Sequence, residues 1–359
     1  MHKSLKAKMN IKLEIRKRIV GIREDMEKNR IDTLLLSKPK NVLYLSGYET
    51  GQILITHDDA ILWVKNLYRD IYELYHDRDY VFDIKSLKKN SVEKYITSKK
   101  FKKIGIEDLN LNRYDKLRGS IKAEFITMEI VENRRAVKSK NEIELLKKSA
   151  DIAVKGMNRA YEVVQENVSE IDAVAEIEYT IRKLGSETPP FYDGMLLAYG
   201  PNGSDIHARA SAKNIRNGLV VVDLGARYSG YYSDISRTIP VGNLRKNEGK
   251  TLEFVRNLEL EVIDRIKVGV KAVELHSYVN KRIKRLGYEF YHSTGHGIGL
   301  EVHEKPSLGS ESKDILKENM VFTIEPGVYI PKKFGVRFED MILLTRNGPR
   351  ILTVDGELY

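Results

Sequence analysis

The chain has 359 residues, 42% hydrophobic and 31% charged, the balance of a globular protein of about two domains and not of a disordered or low-complexity one. Its 61 Lys and Arg against 51 Asp and Glu leave a formal charge of +10, which permits weak attraction to acidic surfaces and says nothing of fold. With no cysteine, disulfides, zinc fingers, thiol catalysis and iron–sulfur clusters are excluded, and any metal must be held by His, Asp and Glu.

The basic opening, MHKSLKAKMNIKLEIRKR, has no apolar run long enough for a signal sequence. No later stretch reaches the ~18 apolar residues of a membrane span, so a soluble cytoplasmic protein without membrane contact is expected. Met9 is an alternative start, and residues 1–8 are given no structural role. From there 11–29 carries Ile15, Ile19, Ile22 and Met26 at helical spacing, and 31–37 (IDTLLLS) reads as a strand. The stretch 51–66 is a hairpin signal around His57-Asp58-Asp59, and 103–108 and 125–130 read as two more strands. Between them, 85–103 holds eight lysines against one glutamate. A nucleic-acid patch is one reading; a solvated helix face is favoured, because no aromatic or arginine interleaving supports base stacking.

A boundary falls in the charged stretch 131–140, giving an N-terminal α/β unit over 1–132, a linker over 133–140 and a second domain over 141–359. The second domain opens with a helix over 141–165 and another from the N-cap candidate Ser169 to Leu184-Gly185, followed by strands of period two. The plan then repeats, with helices over 251–269 and 272–287. An offset of 102 residues sets Gly185 on Gly287, Asn217 on Asn319, Asp223 on Glu325 and Gly225 on Gly327, the mark of an internal duplication. Helices first and antiparallel strands after, twice over, make this an α+β domain.

Each half carries an acid pair. A turn centred on Tyr228/Ser229 sets Asp223 opposite Asp234, and a loop centred on Lys332 sets Glu325 opposite Glu339. Like charges so opposed repel unless a cation lies between them. Two surface pairs on a misjudged register are the alternative. In 293–306 the glycines at 295, 297 and 299 allow backbone to approach a ligand beside His296, while His303, seven residues on, has a different role. Four carboxylates and one imidazole suit Mn²⁺, Co²⁺, Fe²⁺ or Zn²⁺, and their charge balances two divalent ions. Two bridged ions activate water and polarise a carbonyl, so metal-assisted hydrolysis is the expected chemistry.

In their settings VDLGARYSGYYSDISRT, STGHGIGLEVHE, FTIEPGVY and GVRFED, these residues resemble the "pita-bread" metallopeptidases, which include methionine aminopeptidase, aminopeptidase P, prolidase and the metal-free creatinase. The resemblance covers about 134–359; residues 11–132 are similar to the α/β N-terminal domain of prolidase, aminopeptidase P and creatinase. It implies Asp223, Asp234, His296, Glu325 and Glu339 as ligands of two ions, Mn²⁺ or Co²⁺ ahead of Zn²⁺ or Fe²⁺. It makes Glu325 the general base. His207 (in AYGPNGSDIHA) and His303 would bind the scissile carbonyl and tetrahedral intermediate or handle protons, and Arg337 would support the carboxylates. It points to cleavage before proline, in Xaa-Pro dipeptides first and in longer peptides as the alternative, by a homodimer. Several prolidases carry a basic residue where Ser307 follows Pro306 here, a departure that bears on dipeptide recognition and that Lys305 could offset. A binding protein on a pseudo-peptidase scaffold is the rival; it would have lost ligands, and none is lost.

Overall fold

A computed structural model describes residues 2–68, 81–189, 191 and 194–354, with side chains from residue 12, and the chain separates into two units, Met1–Arg134 and Arg135–Tyr359. Among the described residues no helix is long and apolar enough to cross a membrane.

The first unit opens with helix α1 (His2–Lys28), which starts within the segment that the sequence left without a role. Its stripe Ile15, Ile19, Ile22 and Met26 is buried. Helices α2 (Pro39–Ser46), α3 (Ser91–Lys99) and α4 (Leu111–Ser120) accompany six strands: β1 (Thr33–Leu36), β2 (Gln52–Thr56), β3 (Ala60–Val64), β4 (Asp83–Ser86), β5 (Lys103–Ile106) and β6 (Glu124–Thr127). They form one mixed sheet in the order β4-β3-β2-β1-β5-β6. The apolar runs at its centre are buried along their length, as expected of strands covered on both faces. In the lysine-rich run Val92 and Ile96 face the core, Lys85 and Lys99 lie over the Tyr95 ring, and Lys103 pairs with Glu124.

Helix α5 (Ile130–Ala136) leads to the second unit, where α6 (Lys140–Val163) begins on a capping box. There Ser139 Oγ accepts from the Glu142 N–H, and the Glu142 carboxylate accepts from the Ser139 N–H. Helix α7 (Glu170–Lys183) is capped by Ser169, and β7 (Leu196–Tyr199), β8 (Gly218–Tyr228) and β9 (Tyr231–Val241) follow as one antiparallel sheet. The second half repeats the order with α8 (Lys246–Ile263), α9 (Ala272–Lys284), β10 (His296–Gly297) and β11 (Glu304–Ser307). Its hairpin strands are β12 (Val321–Ile324), β13 (Gly327–Ile330), β14 (Phe334–Arg337) and β15 (Asp340–Thr345), closed off by β16 (Gly348–Ile351). Each half has its own core: Ala153, Met157 and Ala160 of α6 pack with Val220, Val222 and Leu224, while Val255, Leu258 and Val262 of α8 pack with Phe322, Ile324 and Ile342. Burying each of the larger side chains, Val, Leu, Ile, Met or Phe, stabilises the fold by about 1.5–3 kcal/mol, and each alanine methyl by about 0.8 kcal/mol.

The two hairpins differ in register from one another and, in the first, from the expectation. Tyr228 pairs with Tyr231 around Ser229-Gly230, whose φ values of 48° and 86° are both positive. A two-residue turn of this kind matches the twist of its strands. Asp223 therefore faces Ser236 and Asp234 faces Gly225, so the two aspartates are diagonal neighbours and not directly opposed. A shift of two residues keeps them on one face. In the second hairpin Gly327 pairs with Arg337 and Ile324 with Asp340, which is the mirror centre at Lys332 that the sequence implied. Glu325-Pro326 and Phe338-Glu339 lie outside the strands, joined only by a long bond from the Phe338 N–H to the Pro326 carbonyl at 3.4 Å; proline has no N–H to return it.

Candidate metal centre

The acids converge where the halves meet. Glu339 leaves its own ladder and exchanges backbone bonds with Ser236, its N–H donating to the Ser236 carbonyl at 3.0 Å. Glu325, also freed, donates its N–H to the Thr294 carbonyl at 2.8 Å. His296 lies between β11 and β12, and its N–H donates to Thr323 Oγ1 at 3.1 Å. The glycines around it serve the backbone and not a ligand: a Cβ at Gly295 would strike the Thr323 carbonyl, and one at Gly297 the Lys305 carbonyl.

Asp234, His296 and Glu339 each offer a ligand atom, and these atoms lie within 4.8 Å of one another. His296 Nε2 is 3.4 Å from Glu325 Oε1 and 3.9 Å from Asp234 Oδ2. Its Nδ1 is 3.2 Å from the Gly297 carbonyl; a proton on Nδ1 leaves the Nε2 lone pair facing the acids. Asp223 is held by Arg337, which donates through Nη2 to Asp223 Oδ2, through Nε to Ser236 Oγ and through Nη1 to Tyr329 Oη. Ser236 Oγ in turn donates to Glu339 Oε2 at 2.7 Å.

The electrostatics are those of acids crowded out of water. Burial first, then the charges of Glu339 and Asp223, raises the Asp234 carboxyl well above the usual range. Burial, then Glu325 and Asp223, does the same to Glu339. Burial pushes Glu325 up to about 8 against the pull of Arg337. It also holds His296 at about 3, so the imidazole is neutral. Three acid oxygens, Asp223 Oδ1, Asp234 Oδ1 and Glu339 Oε1, are buried without a hydrogen-bond donor. One such oxygen costs about 1–3 kcal/mol, and three at one place, beside a neutral imidazole, form a donor set that a divalent cation satisfies.

Around this set stand three histidines. His303 packs its ring against His296 with centroids 4.2 Å apart. His207 is exposed on a loop, where its N–H donates to Asp205 Oδ1 at 3.0 Å. His292 was not singled out in the sequence. Its Nδ1 lies 3.6 Å from Glu325 Oε2 and its Nε2 3.1 Å from Tyr329 Oη, and burial holds it at about 3. The signal that could have found it is its place four residues before His296 in the same glycine-rich segment. Ser307 is exposed at the end of β11, with its N–H donating to Asp314 Oδ2 at 2.8 Å.

Two hairpin-bearing halves that enclose a buried acid and imidazole set define a metal-dependent hydrolase of the pita-bread class. The chain belongs to metallopeptidase family M24, whose model matches residues 144–346, and residues 18–137 match the creatinase/prolidase N-terminal domain. It is a metallopeptidase. A Xaa-Pro dipeptidase from Pyrococcus furiosus is 36% identical over 348 residues, 94% of this chain and 98% of the relative. The crystal structure of the prolidase from Pyrococcus horikoshii is similar with a TM-score of 0.87 at 37% identity, covering 96% of this chain and 100% of that one. That of an X-Pro aminopeptidase from Thermotoga maritima gives 0.81 at 29% identity, covering 92% and 96%.

Proposed function

We propose that the protein hydrolyses the peptide bond before proline, in Xaa-Pro dipeptides first. The observation that carries this reading is similarity to Xaa-Pro dipeptidases along nearly the whole chain, combined with an acid set whose buried oxygens lack donors. Asp223, Asp234, His296, Glu325 and Glu339 would hold two divalent ions, Mn²⁺ or Co²⁺ ahead of Zn²⁺ or Fe²⁺. When bound, such ions acidify a water and polarise the scissile carbonyl. Glu325, with Oε1 facing His296 and Oε2 facing His292, takes the proton of the attacking water as general base. His207 and His303 steady the oxygen of the scissile carbonyl as charge develops on it. Arg337 keeps Asp223 and, through Ser236, Glu339 in place. A cytoplasmic homodimer is part of the same proposal.

One observation favours longer peptides. Where several prolidases place a basic residue, Ser307 stands with the Asp314 carboxylate on its N–H, so this place offers an acid and not a counter-charge to the free carboxylate of a dipeptide. Turnover of metal-stripped protein resupplied with Mn²⁺, Co²⁺ or Zn²⁺, on a Xaa-Pro dipeptide and a matched Xaa-Pro-Xaa tripeptide, separates the readings. Metal-dependent cleavage of the dipeptide supports prolidase activity. Preference for the tripeptide moves the assignment to an aminopeptidase, and cleavage of neither with any metal overturns both.

A further inference from the structure

The loop that carries His207 is tied at both ends to one carboxylate outside the metal centre. Glu170, the first residue of α7, is almost fully buried. It does not serve as the cap of its helix, since Ser169 already accepts from the Asp172 N–H. Its carboxylate turns instead to the 199–211 loop. Oε1 accepts from the Tyr199 N–H at 2.7 Å, where β7 ends. Oε2 accepts from the Ser211 N–H at 2.7 Å and from Ser211 Oγ at 2.6 Å, where the loop returns. Asn202 Nδ2 lies 3.3 and 3.2 Å from the two oxygens and 3.0 Å from the Arg209 carbonyl, so it closes the loop from side to side. His207 sits inside that ring. Its N–H is held by Asp205, and the far side of the loop meets the second hairpin, where the Lys332 N–H donates to Ser204 Oγ.

A carboxylate is an acceptor only, which suits a position surrounded by donors from both ends of a loop. An exposed histidine on an untied loop would sample many positions, and fixing its base limits them. We propose that Glu170 is a positioning residue for His207: it holds the loop closed so that His207 faces the substrate above the metal centre. The inference rests on the peptidase reading of His207.

Glu170→Gln tests it, because the amide is isosteric and sets an NH₂ against the donors of one loop end. On a Xaa-Pro peptide, with metal stoichiometry unchanged, kcat/KM falls about 10- to 100-fold, the range for groups that orient active residues. In a His207→Ala background the same substitution changes kcat/KM less than about twofold, because the two act as one unit. Amide hydrogen exchange over 203–208 speeds up in Glu170→Gln. Ser211→Ala, which removes one donor to Glu170 and, on the exposed side, the acceptor of the Lys213 N–H, gives a smaller loss of about fivefold and guards against a folding defect in the first variant. Full loss in the His207→Ala background, or unchanged exchange, overturns the proposal. Should the parent protein cleave no Xaa-Pro peptide, the functional reading fails, and the exchange measurement alone decides whether Glu170 closes the loop.

Discussion

The two halves of the second unit present their acids by different means. In the first, β8 and β9 run eleven residues each without a break, and Asp223 and Asp234 project from mid-ladder. In the second, the matching strands are cut in two, and Glu325 and Glu339 sit in the gaps. A continuous strand aims its side chains by the pleat alone. A broken one frees peptide groups, which here bond elsewhere: Glu339 to Ser236 and Glu325 to Thr294. One half supplies a rigid wall and the other the joints that fasten it.

If the joint matters, the largest effect comes at Ser236, whose hydroxyl accepts from Arg337 and donates to Glu339. Ser236→Ala lowers metal affinity about 10- to 100-fold, read by calorimetric titration of the stripped protein. Affinity equal to that of the parent would mean that the backbone bonds alone aim Glu339.

The crowded acids also make a pH prediction. Glu325 is raised from 4.5 to about 8, so the folded state keeps a proton that the unfolded chain releases, and that advantage is lost as pH rises towards 8. His292 and His296, lowered from 6.5 to about 3, act oppositely: stability falls as pH drops from 6.5 towards 3. Above pH 6.5 only the acid slope remains. Metal binding requires ionised ligands and removes it. The melting temperature of stripped protein therefore falls between pH 6.5 and 8 while that of loaded protein stays level; parallel curves would show that the acids are ionised without metal.

The smallest effect separates the two turns. Gly230, at φ 86°, is where the first hairpin needs a residue free of Cβ, and Lys332, at φ 61°, makes the second turn without one. Gly230→Ala destabilises by about 1 kcal/mol, and Lys332→Gly stabilises by somewhat less, both read from urea unfolding. Equal responses would remove the turns from the comparison.

Much of this was legible in the sequence where the signal is local. The acids announced themselves as charged residues at matched places in apolar strands, and the 102-residue offset placed Gly185 on Gly287, which both adopt positive φ. The first register was misplaced because Ser229-Gly230, and not Tyr228-Ser229, forms the turn. His207 and Arg337 carry no local signal and came only from the resemblance. His292 could have been suspected from its place four residues before His296, whereas Glu170 matters through partners about thirty or more residues away, Tyr199 and Ser211 among them, and spacing along a chain does not reveal such contacts.

Each hairpin closes between near neighbours in the chain, whereas Ser236 and Glu339 are 103 residues apart. A growing chain that has completed β8 and β9 holds only Asp223 and Asp234 on a strand face still open to water, where two charges interact weakly. Their burial, and with it the repulsion among four acids, arises only when the later hairpin docks. The least favourable contacts of this unit therefore belong to the last stage of its assembly, the stage at which a cation can first be gripped from both sides.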